Sequence, residues 1–150
     1  MQLDEQKAQF TFKMQQEVRW SDMDEMKHVN NAVYLTYFEQ ARIAYMAEAC
    51  AWNWAETGAI LANAHVDYYK PIVYPTPTFI YVRVSKMGTK SFEISYMITC
   101  DISGREEIMT TGYTTLVVFD YTTNRSIPIP ESVRQRIMDY EKATSLHQSQ

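Results

Sequence analysis

One run of about twenty residues, 31–50, constrains this chain more than any other. Val33, Tyr34, Tyr37, Phe38, Ala41, Ala44, Tyr45 and Ala49 recur at steps of three and four, the spacing of a single helix face. The rest of that helix is hardly more polar. Ile43, Met46 and Ala47 interrupt it, leaving only Thr36, Glu39, Gln40, Arg42 and Glu48. A helix apolar most of the way round has to be enclosed. At 1.5 Å per residue it spans roughly 30 Å, the width of a small domain. The sequence therefore predicts one long central helix with the remaining chain built around it.

That remaining chain reads as strands. Residues 10–18 alternate Phe10, Phe12 and Met14 against Thr11, Lys13 and Gln15, losing phase near Gln16. After Trp52, Trp54 and Gly58, residues 60–69 alternate strictly, with Ile60, Ala62, Ala64, Val66 and Tyr68 on one face. A proline-marked bend, PIVYPTP, cannot pair inside a sheet. Alternation resumes over 79–87 and 92–100 around a turn at Gly88, which predicts a hairpin. Ser103 and Gly104 turn the chain again into a β-rich run, 105–121, with Gly112 as a bulge or close-approach point. Ser132 can cap a short last helix bearing Val133, Ile137 and Tyr140 on one side. Short connections favour antiparallel neighbours. The expected architecture is α+β: a curved antiparallel sheet of about five strands wrapped around one long helix.

Ahead of the long helix lies a short acidic segment, 20–30, carrying Asp22, Asp24, Glu25, His28 and Asn30. Asn31 is expected to open the helix, since Asn side chains accept hydrogen bonds from first-turn N–H groups. A helix start carries roughly half a positive charge and free N–H donors. A carboxylate delivered to such an end is placed to activate water beside a polarised carbonyl. Asp22 reads as the structural member of the acidic pair, and His28 either caps and packs or lines the site. His65 shares a strand face with Asn63 and Asp67, but no third and fourth ligand follow at metal-binding spacing, so no metal is expected.

At 150 residues the chain is expected to form a single domain, 1–150, with its packed part over about 8–141 and a frayed polar tail at 143–150. Net charge is −4 with no basic tract, against a nucleic-acid partner. No apolar run reaches the roughly 18 to 20 residues of a membrane span. The opening MQLDEQKAQF does not resemble a secretory signal. Cys50 and Cys100 lack metal-type spacing and read as small buried hydrophobes. A reducing cytoplasm is the expected compartment.

Val18, Arg19, Asp22, Met23, Asp24, then His28, Val29, Asn30, Asn31 and Tyr34, then Glu39, Ala41 and Arg42 together resemble the motif of the hotdog-fold acyl-CoA thioesterases, in the branch similar to 4-hydroxybenzoyl-CoA thioesterase. With the strand layout, the resemblance covers nearly all of 8–141. It implies a hotdog fold and hydrolysis of acyl-CoA to free acid and coenzyme A. Asp24 is implied as the catalytic carboxylate, acting as general base or as nucleophile. His28, Asn30, Asn31 and Tyr34 are implied on the substrate, with the backbone at Asn31 touching the thioester carbonyl. Lys86, Lys90 and Ser91 fall where relatives hold coenzyme A. No cofactor is implied, coenzyme A being part of the substrate. A homodimer or homotetramer with sites shared between chains is implied as well. The HVNN wording is similar to acyl-carrier-protein thioesterases, which keeps that substrate open, and a non-catalytic acyl-binding domain is the third reading.

Overall fold

Tight turns between long strands set the architecture. The computed structural model describes residues 2–142. In chain order these form α1 (Leu3–Lys7), β1 (Phe12–Gln16), a 3-10 turn (Trp20–Asp22), α2 (Val33–Cys50), β2 (Gly58–Tyr68), β3 (Thr78–Met87), β4 (Ser91–Ile102), β5 (Arg105–Asp120), β6 (Arg125–Ser126) and α3 (Glu131–Tyr140). The Gly88 N–H closes the β3–β4 turn on the Ser91 carbonyl at 2.7 Å. Ser103 and Gly104, both at positive φ, make the β4–β5 turn, the left-handed pair that matches strand twist in a two-residue hairpin. The sheet runs β1-β3-β4-β5-β2, antiparallel throughout, and β6 adds two residues to β5. This is the expected hotdog arrangement, a curved sheet laid along a long helix.

Helix and sheet meet through aromatic rings. Phe38 of α2 stacks on Tyr96 of β4 with centroids 4.1 Å apart, and Tyr45 meets Phe12 of β1 edge-on. Beneath Phe38 lies Gly112 of β5. A Cβ there would stand 2.7 Å from the Phe38 ring and 2.5 Å from the His65 carbonyl oxygen. Gly112 thus marks a close approach; the β5 irregularity falls elsewhere, opposite Ile98 and Thr99. α3 packs against the C-terminal half of α2 with Ile137 fully buried, and Tyr45 donates to the buried Glu141 carboxylate at 2.5 Å. Cys50 and Cys100 are buried thiols.

Several expectations are corrected. α2 begins at Val33, two residues later than Asn31, because Asn30 closes the preceding turn. Nor is α2 enclosed within the chain: Leu35 and Ile43 stay 41% and 47% exposed, since the sheet covers one side only. β2 keeps its length but not its single apolar face. A bulge between Leu61 and Asn63 shifts the register, and one extra residue moves following side chains to the opposite face. Ala59 and Leu61 therefore pair with Val118 and Leu116, while Ala64, Val66 and Tyr68 pair with Thr114, Gly112 and Thr110. α3 starts after Pro130 rather than with a Ser132 cap. The short elements α1 and β6 had no periodic signal. The expected polar tail, 143–150, lies outside the described residues.

Candidate active site

The acidic segment folds into a small closed hairpin. The Asp24 N–H donates to the His28 carbonyl (2.9 Å), the Asn30 N–H to the Asp22 carbonyl (3.0 Å), and Met23 bridges Val29. Lys27, at φ 63°, turns the chain at the tip. The Val29 N–H donates to the Ile72 carbonyl at 2.8 Å, tying the hairpin to the segment after β2. Asp22 anchors its base. That carboxylate is only 3% exposed and accepts from the Tyr37 hydroxyl at 2.7 Å, the Arg19 N–H at 3.0 Å and the Arg19 guanidinium at 3.0 and 3.3 Å. Burial alone would raise its pKa, yet the donors from Tyr37 and Arg19 outweigh it and hold Asp22 below the usual carboxylate range.

Asp24 emerges from this hairpin exposed, with Oδ1 accepting from the Met26 N–H at 2.9 Å. It stands on the lip between two clefts. One, of about 330 Å³, is shared with His28, Asn31, Tyr34, Tyr68 and Lys70. The other, of about 900 Å³, is walled by Trp20, Met23, Val73 and Tyr74. The start of α2 faces the smaller cleft. There the capping task falls to Asn30 rather than Asn31: its side-chain oxygen accepts from the Ala32 N–H at 2.9 Å and its carbonyl from the Val33 N–H at 2.9 Å. The Asn31 N–H has no partner among the described residues, while the Asn31 carbonyl accepts from the Tyr68 hydroxyl at 2.8 Å. Tyr34 is buried beneath, edge-on to Tyr68 with centroids 4.8 Å apart, and burial pushes its hydroxyl pKa up.

Asn30 lines the larger cleft, while Asp24, His28, Asn31 and Tyr34 are brought around the smaller one. Lys86, Lys90 and Ser91 are not. Ser91 pairs with Val117, which pairs with Ile60, so the β3–β4 turn is level with the start of β2, whereas the cleft sits at its end. Eight residues at about 3.3 Å each put the two roughly 26 Å apart along the strands. In their place the structure supplies Tyr68, Tyr69 and Lys70. Lys70 pairs with Glu107 at the rim. Sequence reasoning passed over these residues because the end of β2 reaches the hairpin only through folding. His65, instead of gathering ligands, hydrogen-bonds Asp67 at 3.0 Å and stacks on Tyr113, on the opposite face of β2 from the helix.

Comparison with known proteins identifies the family. The model of the Thioesterase-like superfamily matches residues 18–137. The long-chain acyl-CoA thioesterase FadM of Escherichia coli (strain K12) is 25% identical over 123 residues, 80% of this chain and 92% of FadM. The uncharacterized protein YsmA of Bacillus subtilis (strain 168) is 30% identical over 98 residues, 65% of this chain and 67% of YsmA. A thioesterase of Thermus thermophilus, solved with coenzyme A and zinc, superposes with a TM-score of 0.78 at 32% identity, covering 89% of this chain and 96% of that one.

Proposed function

Because the chain belongs to the thioesterase-like superfamily and is a thioester hydrolase, we propose that it cleaves acyl-CoA to the free acid and coenzyme A, with Asp24 as the reacting carboxylate. The observation that carries this reading is the shared cleft: an exposed Asp24 and the unpartnered Asn31 N–H at the start of α2 line the same 330 Å³ space. In the general-base route Asp24 takes a proton from water as the oxygen attacks the thioester carbonyl. The Asn31 N–H holds the oxyanion, and collapse expels the coenzyme A thiolate. In the nucleophilic route Asp24 attacks directly and water then hydrolyses the mixed anhydride. A positioned base typically supplies ~10²–10⁴-fold and one oxyanion donor ~10²–10³-fold. A thiolate leaving group needs little acid assistance, and coenzyme A enters only as substrate, so the proposal uses no metal or cofactor.

The apolar cleft at Trp20, Val73 and Tyr74 suits the acyl group, and the cleft rimmed by Lys70 suits the pantetheine arm. Supporting the notion of a homodimer are two exposed surfaces: the uncovered side of α2 and the eleven-residue β2 edge. Two β2 edges joined antiparallel would bring the β3–β4 turn of the second copy level with the Asp24 end, so that Lys86, Lys90 and Ser91 serve the neighbouring site. The test is thiol release from acyl-CoA. Asp24→Asn should lower turnover at least a hundredfold with the circular dichroism spectrum unchanged; full activity in that variant rules out the assignment. Running the same acyl chain on coenzyme A and on acyl carrier protein identifies the carrier.

A further inference from the structure

Tyr37 lies in the second turn of α2 with its ring buried and its hydroxyl donating to Asp22 in a buried hydrogen bond. The Asp22 carboxylate is itself enclosed, held by Arg19 on one side and Tyr37 on the other. Its own carbonyl accepts from the Asn30 N–H, which closes the hairpin carrying Asp24. Asp22 and Asp24 are separated by one residue of extended chain, so a tilt at the first carboxylate is passed to the second. The hairpin is also tied to Ile72 and Tyr74, on the segment after β2, and through Asn30 to the backbone N–H groups of Ala32 and Val33 at the start of α2. The Tyr37 hydroxyl is thus a direct side-chain link from the body of α2 to the hairpin base.

We propose that Tyr37, acting through Asp22, is a positioning residue that sets the Asp24 carboxylate against the first turn of α2 and so governs turnover; this rests on the thioesterase reading above. Hydrolysis needs the attacking oxygen placed at the carbonyl while the Asn31 N–H meets the oxyanion, and a displacement of about 1 Å at such a centre can cost roughly a hundredfold. Tyr37 does not touch substrate. It fixes the frame from which Asp24 projects. The titratable groups facing Asp22 are Arg19 from the loop and Tyr37 from α2, with Tyr34 beside Tyr37. Removing the hydroxyl leaves a buried carboxylate with Arg19 alone, so Asp22 protonates at higher pH and releases the hairpin.

The experiment is Tyr37→Phe, which keeps the buried ring. The expected result is a kcat ten- to a hundredfold lower with KM changed less than threefold, and an acid limb of the kcat profile displaced to higher pH. Asp22→Asn should reproduce the loss, and the double variant should be no slower than Asp22→Asn alone, since residues acting in one chain of contacts are not additive. A purely structural Tyr37 would lower the melting temperature and leave kcat and its pH profile in place, which overturns the proposal. So does a double variant whose losses simply multiply. Wild-type turnover with an unaffected Tyr37→Phe variant overturns only this inference, whereas a wild type inactive toward every thioester removes the underlying reading with it.

Discussion

Gly112 shows how one residue's lack of a side chain sets the spacing of two elements. Phe38 lies against the β5 backbone because nothing projects from it there. Gly112→Ala would push a methyl into the Phe38 ring and the His65 carbonyl, a clash no rotamer relieves. Overpacking of this kind costs about 1–3 kcal/mol. Denaturant unfolding should show that loss, and an unchanged midpoint would mean the helix has room to rise. Glu106 is a second such point. It accepts from Lys7 at 2.7 Å and from the Tyr81 and Thr99 hydroxyls at 2.6 Å each. Burial alone would raise its pKa, but these donors outweigh it and bring Glu106 down to about 2. A carboxylate lowered on folding stabilises above its unfolded pKa, near 4.5, and that contribution fades as pH falls toward 2. Glu106→Gln should therefore cost about 2 kcal/mol at pH 7, the scale of hydrogen bonds to a charged group, and far less at about pH 2.5. A pH-independent penalty would assign the effect to packing.

Among the elements, α2 carries two functions on two faces. The buried face builds the core through Tyr34, Tyr37, Phe38, Ala41 and Tyr45. Its exposed face keeps Leu35 and Ile43, and Ile43 joins Trp54, Ala59 and Leu116 around a trough of about 240 Å³ beside β2. The all-round apolar composition is thus resolved: it serves one interior and one outward surface. Dimerisation through that surface makes a definite prediction. Ile43→Glu changes an already exposed position, so the variant should keep its fold, sediment as a monomer where the wild type is expected to sediment as the proposed dimer, and lose at least tenfold in thioester hydrolysis. A dimeric, fully active Ile43→Glu protein would place the interface elsewhere.

For the molecule as a whole, the relevant separation is between the two ends of the sheet. The hairpin with Asp24 and the start of α2 gather at one end, together with Tyr68 and Lys70, while the β3–β4 turn stands at the other. In the proposed dimer an antiparallel β2 edge would turn the second copy head to tail and set its β3–β4 turn at the Asp24 end. Among the described residues no helix is long and apolar enough to cross a membrane.

Local chemistry was legible in the order of residues. Period-two and period-three-to-four patterns located α2 and the four long strands, because side-chain direction follows backbone geometry alone. The segment 20–30 was legible as an acidic, turn-prone loop ahead of the helix, while its closing into a hairpin was not. What pattern did not contain was set by partners distant in the chain. The bulge in β2 depends on its register with β5, the cap passes from Asn31 to Asn30 through the closing of the hairpin, and Tyr68 and Lys70 enter the cleft from 37 and 39 residues beyond Asn31. Asp22 and Tyr37 likewise become one unit only when a buried carboxylate needs a donor and the helix presents it. Periodicity reports which way a side chain points; only packing decides what it meets.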